Sequence, residues 1–307
     1  MYSYTWYQWL TFFYFYCFFG WIFESTYVSL KKKRLVNRGF LRLPMLPIYG
    51  TGAVMMLWVS IPVRDSLCLT WLFGAIGATV LEYVTGAAME HLFKVRYWDY
   101  SNQKFNLHGH ICLSSSIAWG FLTIFMTWVL HKPVEHAILA MPFTWNMFFV
   151  IFMTIIFVYD AVICTREAFA FGKSLEALEK LRQELDGLQV QRALLKMEAE
   201  EYLEETKEEL RERLEERYEQ LPEQAKLQIA ELREQITDAK TQLTAIRSKT
   251  ERLLIEQEEK ISALQEKRSR FLHHLTRSNP SATSKRFNQE FKQMQDYIRN
   301  NIRKPKE

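Results

Sequence analysis

Five stretches of the chain run almost without charge, at residues 6–30, 45–62, 67–92, 111–130 and 143–164. A helix of about 20 apolar residues crosses a bilayer, so each stretch predicts a membrane span. Four acids interrupt them: Glu24 in the first, Glu82 and Glu90 in the third and Asp160 late in the fifth. The second span starts irregularly, because Pro44 and Pro47 remove backbone donors and resist helix before them, and part of it is expected to be re-entrant.

The third stretch carries a finer pattern. At four-residue steps it reads Gly74, Ala78, Glu82, Gly86, Glu90, while Ile, Val, Leu, Tyr and Phe surround that stripe. Residues four apart on a helix share a face, and small residues there let a second helix approach closely. The stripe predicts a packing seam with an acid set into it. Glu90 is expected near the membrane surface. Glu82 lies about 12 Å further in by helix rise, where a carboxylate costs about 2.5–3.5 kcal/mol. Two roles stay open for it: a structural hydrogen bond to a neighbouring helix, or a substrate, ion or proton site.

From Lys173 the period changes. Leu178, Leu181, Leu185 and Leu188 follow three-four spacing, with lapses at Arg192 and Ala199. The seam returns at Ile229, Leu232, Ile236, Ala239 and Leu243, then shifts phase toward Leu264, Phe271 and Leu275. This pattern predicts a coiled coil. The expected organisation is all-α: a polytopic helical bundle over residues 1–170, a coiled-coil rod over 171–276 broken at Pro222, and a basic amphipathic tail over 277–307. The two arms of the rod either fold back on each other or pair with another chain. In the tail, Phe287, Phe291, Met294, Ile298 and Ile302 share a face, with basic residues elsewhere. Such a helix suits a membrane surface or an acidic partner, or it packs on the end of the rod.

Composition sharpens the division. All nine tryptophans lie before Asn146, and ten of the eleven glycines lie at or before Gly172. The net charge of +4 averages two unlike halves and says little about partners. Charge placement says more. Eleven Lys/Arg follow the first, third and fifth spans, whereas Arg64 and Lys132 alone occupy the opposite loops. That bias predicts a multi-pass cell-membrane protein with its N-terminus outside and its C-terminus cytoplasmic. The first span is followed rather than preceded by lysines, so it is expected to stay in the mature protein. Cys17, Cys68, Cys112 and Cys164 fall in or near separate apolar runs with no CxxC pair, which argues against a zinc or disulfide framework.

Candidate chemistry is sparse. His108-Gly109-His110 has a spacing that could hold a metal with Glu82, Glu90 or Asp99, though interfacial histidines more often serve as hydrogen-bonding groups. Phe171-Gly172-Lys173-Ser174 ends like a phosphate loop, but Glu167 stands where that loop needs glycine. Ser114, Ser115 and Ser116 are expected to bond back to their own helix or across to a neighbour. No nucleophile–base pair stands out. The expectation is a protein that is not an enzyme, has no cofactor and does not bind nucleic acid.

Several motifs occur together in one order: Gly20-Trp21 with Glu24, Asn37-Arg38-Gly39-Phe40, Pro47-Ile48-Tyr49-Gly50, Glu82-Tyr83-Val84-Thr85-Gly86, Arg96-Tyr97-Trp98-Asp99-Tyr100-Ser101 and Phe105-Asn106-Leu107. Over residues 10–135 the chain thereby resembles the ABC-transporter permease family of the CmpB type. Leu43 and His110 depart from the pattern, which carries glycine and arginine there. The resemblance implies an integral membrane protein serving transport, without established substrate or catalytic residues. It points to a permease-like component whose energy comes from a separate ATPase subunit, with a polar path near Glu24, Glu82, Glu90, Arg96, Asp99 and His110. The alternative is a membrane-anchored scaffold or sensor acting through its rod. Expected partners are the lipid bilayer, that ATPase, and a coiled-coil partner or a second copy of the chain.

Overall fold

A computed structural model of the chain describes residues 4–215 and 222–302. The side chains of Leu214, Ile298, Arg299 and Ile302, and all of Leu221, Arg303 and Lys304, lie outside the described residues. Eight α-helices and one short hairpin make up the described chain. They are α1 (Trp6–Lys32), α2 (Pro47–Ser60), α3 (Leu67–Phe93), β1 (Asn106–Leu107), β2 (Ile111–Cys112), α4 (Leu113–Phe125), α5 (His131–Leu139), α6 (Phe143–Glu215), α7 (Glu223–Ser278) and α8 (Asn288–Ile302). The protein is all-α but for that hairpin.

Two compact units result: Met1–Glu176 with Arg268–Glu307, and Ala177–Lys267. Within the first, three helices are long and apolar enough to cross a membrane: Leu67–Phe93, Leu113–Leu139 and the beginning of α6. α1 has 27 residues, rich in Tyr and Trp. α2 continues as one 3-10 turn, Ile61–Val63. Together they make 17 residues, about 25 Å of helix, at the short end of the range of about 17–25 residues for a span.

The helix starting at Leu113 is not uniform. Between α4 and α5 the segment Met126–Leu130 is a π-turn, and His131 N–H bonds back to Met126 O. Pro133 explains it. A proline ring clashes with the carbonyl four residues earlier, here that of Val129, and widening the preceding turn relieves the clash.

The helices pack through small residues. On α3 the buried residues include Gly74, Ala78, Glu82 and Gly86 of the stripe read from the sequence, with Thr70 continuing it, while Glu90 at its end is only half-buried. The stripe meets α4, where Gly74 abuts Thr123 and Gly120 abuts Trp71. On α2, a Cβ at Gly50 would come 2.6 Å from the backbone oxygen of Phe13 on α1, and would also meet Cys17 Sγ. Backbone cannot step aside as a side chain can. Gly50→Val should therefore cost about 1–3 kcal/mol or more of stability, read as a lower melting temperature in detergent. Gly187→Ala is the control, because Gly187 faces open space and helix propensity should gain about 0.5–1 kcal/mol there.

α6 runs without interruption for 73 residues out of the fifth apolar stretch. Phe171-Gly172-Lys173-Ser174 therefore lies inside a helix, with Ser174 Oγ donating to Ala170 O at 2.8 Å, and forms no phosphate loop. In the second unit the arms of α6 and α7 are antiparallel. Arg192 pairs with Glu251 at 3.5 Å and Gln257 Nε2 donates to Glu184 at 3.2 Å, both pairs centred near Pro222. The arms fold back as a helical hairpin. Arg192, a lapse in the apolar seam, is filled by an ion pair across the arms.

Candidate functional site

One end of the bundle gathers every candidate acid. Glu82 is buried, with 5% of its surface exposed. Its Oε1 accepts from Tyr100 Oη at 3.0 Å and its Oε2 from Trp119 Nε1 at 2.8 Å. Ser115 Oγ stands 3.4 Å from Oε2, but its single proton has a nearer acceptor in Cys112 O at 2.9 Å. α4 and the loop after α3 thus supply the donors that a carboxylate in a span requires.

A second group forms at the cytoplasm-predicted end of α1. Glu24 accepts from Tyr49 Oη of α2 at 2.7 Å and faces Arg38 Nε at 3.8 Å. The loop carrying Arg38 is fastened to α1, since Arg38 N–H donates to Ser25 Oγ at 3.1 Å and Val36 N–H to Ser29 Oγ at 2.9 Å. Burial lowers the pKa of Arg38, and Glu24 offsets part of that. Burial and then the Glu82 carboxylate push the Tyr100 phenol above the ordinary value, with a smaller push from Glu24.

The third group is an ion cluster. Arg96, 5% exposed, has Nε 2.7 Å from Glu90 Oε1 and Nη1 3.5 Å from Asp99 Oδ1. The Nε–H does not point along its short contact, so this is a close ion pair rather than an aligned hydrogen bond. His110 Nε2 lies 3.2 Å from Glu90 Oε2. Burial lowers the His110 pKa, and Arg96 and His108 add to that against what Glu90 and Asp99 return. Burial alone would raise Asp99, yet two hydrogen bonds from Ser101 and the charge of Arg96 leave it below the usual range.

Glycine makes the cluster possible. β1 and β2 pair antiparallel, Asn106 with Cys112 and Leu107 with Ile111, around a tight turn. His108 and Gly109 both take positive φ there, 55° and 78°. A Cβ on Gly109 would sit 2.5 Å from Ser101 Oγ and 2.6 Å from Arg96 Nη1. His108 turns instead to Tyr83 Oη at 3.1 Å, and among the described residues no group of three or more His, Cys, Asp or Glu could hold a metal.

The C-terminal segment closes over the same loop. Arg96 and Thr283 exchange backbone hydrogen bonds of 2.8 and 3.0 Å, Ser284 Oγ donates to Lys94 O at 2.6 Å, and Asn279 Nδ2 donates to Gly39 O at 2.9 Å. Beside it Phe287, Phe291 and Met294 are buried, with Phe291 against Phe171. The apolar face expected to meet a membrane or a partner is, over these residues, covered by the chain itself.

All six candidate residues therefore lie in three groups, Glu24 with Tyr49 and Arg38, Glu82 with Tyr100 and Trp119, and the other four together. The sequence reading missed Arg38, Tyr49, Tyr100 and Trp119, the donors that hold the acids. Asp160, noted only as an interruption, accepts from the backbone N–H groups of Arg42 and Leu43, each at 3.0 Å.

No curated protein and no solved structure matches the chain. Residues 11–165, just over half of its length, match the CmpB family described as "Putative ABC-transporter type IV". That span runs from within α1 into the first third of α6 and includes every one of the six candidate residues, and the chain belongs to this family.

Proposed function

We propose that this protein is the membrane-spanning component of a transport system, drawing energy from a separate ATPase subunit. A substrate or coupling ion passes along the polar groups around Glu24, Tyr100 and Glu82, gated by the ion cluster of Glu90, Arg96, Asp99 and His110. One observation carries this reading: Glu82 is a buried carboxylate within a span, held by donors from Tyr100 and Trp119. An ionisable group at that depth is a functional candidate by default. The protein catalyses no covalent step in this reading. The decisive test is whether Glu82→Gln, at normal protein level, restores a null strain.

The reading includes five spans in the cell membrane, N-terminus outside and C-terminus in the cytoplasm, supported by the eleven-to-two bias in basic residues. Arg64→Cys, in a variant lacking the native cysteines, should react with an impermeant thiol reagent on intact cells. A cysteine replacing Gly187 should not. The reverse labelling would overturn this topology.

A second reading, a membrane-anchored scaffold acting through its hairpin, has its own support. Leu194, Leu195 and Met197 remain exposed on the hairpin, which suits a coiled-coil partner or a second copy. Arg268 Nε donates to Ser174 Oγ at 3.1 Å, so a short loop can join Glu176 to Arg268 in place of residues 177–267. Activity retained after that exchange speaks for transport alone. Activity lost with the membrane unit intact speaks for the scaffold.

A further inference from the structure

The opposite end of the bundle holds a cavity that the transport reading does not use. Tyr4 lies about 30 Å along α1 from Glu24 by helix rise, and the turn between α2 and α3 lies about 36 Å from Glu90. The cavity measures about 310 Å³, near the lower limit of about 300–1,000 Å³ for small-molecule sites. Its floor is apolar, from Leu57 and Ile61. Its wall is charged in both senses: Arg64 and Asp65 come from the turn, Lys132 and Glu135 from α5.

Three features mark it as built. The π-turn at Met126–Leu130 opens directly into it and puts Thr127, Trp128 and His131 on its lining. π-turns concentrate at functional sites. Next, a directed chain of hydrogen bonds runs through its wall. Tyr4 Oη donates to Glu135 Oε1 at 2.6 Å, so its oxygen accepts from His131 Nε2 at 3.0 Å. Nδ1 of the same ring, 2.9 Å from Tyr16 Oη, is then the acceptor. Tyr16, His131, Tyr4 and Glu135 form one line of donors ending on a carboxylate, which fixes both the tautomer and the rotamers. Lastly, Asp65, Lys132 and Glu135 make no ion pairs with one another among the described residues. Among the described residues Asp65 has no ion-pair partner, Glu135 Oε2 accepts no hydrogen bond, and Lys132 makes only its stack over Trp128 at 5.8 Å.

We infer that this cavity binds a small zwitterionic solute carrying an ammonium and a carboxylate group, with its ammonium against Glu135 and Asp65 and its carboxylate against Lys132. A cation alone would meet the like charges of Arg64 and Lys132, and an anion alone those of Asp65 and Glu135. An apolar solute would strip water from the charged wall without replacing it. A zwitterion satisfies both signs and leaves the wall neutral.

The test needs neither flux nor an ATPase, so its outcome is separate from that of the transport reading. Purified full-length protein in detergent is titrated with L-leucine and with glycine betaine, followed by tryptophan fluorescence, with Trp128→Phe to assign the signal. Leucine methyl ester and N-acetyl-leucine carry one charge each and match leucine in apolar bulk. Saturation by a zwitterion is expected, about tenfold weaker with either single-charge analogue, and weakened about tenfold by Glu135→Gln and by Lys132→Gln. Both residues are partly exposed at the cavity, so the variants should fold, which unchanged melting confirms. No saturation by either zwitterion at millimolar concentration overturns the inference. Equal binding of the single-charge analogues does so too, as does binding that both variants leave intact.

Discussion

Replacing Glu82 with leucine should destabilise the membrane unit by about 2–6 kcal/mol, read as a large fall in melting temperature in detergent, because an unsatisfied buried donor costs about 1–3 kcal/mol. The Trp119 indole N–H and the Tyr100 hydroxyl would each lose their acceptor beside a position that is 5% exposed. Glutamine behaves differently, for a geometric reason. Trp119 can only donate, so the amide oxygen must face it; the amide nitrogen then faces Tyr100, whose oxygen can accept. One orientation of the amide therefore keeps a hydrogen bond to both neighbours and leaves only the Tyr100 proton without its acceptor, so Glu82→Gln should fold and insert better than Glu82→Leu. Loss of function in that variant would report on the charge and on that one hydrogen bond. Full rescue of a null strain by it would remove Glu82 from any transport path, and a leucine variant of unchanged stability would refute the hydrogen-bonding account.

The stripe on α3 was legible because helical period and residue size act locally: in an uncharged run long enough to cross a membrane as helix, Gly74, Ala78, Glu82 and Gly86 fall on one face. What surrounds Glu82 was not legible. Tyr100 reaches it only because the loop after α3 is held by the positive-φ turn at His108 and Gly109, a conformation that one histidine–glycine pair does not announce. Arg38 reaches Glu24 because hydroxyls of Ser25 and Ser29, one and five residues beyond it, hold the returning loop. Such short polar contacts leave no periodic trace. In the rod, spacing gave the apolar seam, while the direction of pairing came from Arg192 and Glu251, which break that seam or lie beside it. The tail shows the opposite failure. Its amphipathic face was plain, but an apolar stripe specifies that something covers it, without saying what.

That cover sets up the second large effect. Ending the chain after Arg277 should destabilise the membrane unit by on the order of 5–9 kcal/mol, because Phe287, Phe291 and Met294 each bury a side chain worth about 1.5–3 kcal/mol. It would also leave the backbone of Arg96 without Thr283 and the carbonyl of Lys94 without Ser284. Two point variants separate packing from hydrogen bonding. Phe291→Ala keeps the Arg96–Thr283 bridge but empties the space beside Phe171, at about 3–5 kcal/mol. Thr283→Pro keeps the buried rings but deletes the N–H that donates to Arg96 O, at about 1–3 kcal/mol. The expected order of melting temperatures is wild type, Thr283→Pro, Phe291→Ala, then the truncation. The loop of Arg96 should become open to proteolysis in the truncated chain first, since the segment that pairs with it is gone. A truncated protein that melts with the wild type and resists protease equally would show that residues 278–302 carry no part of the fold around the ion cluster.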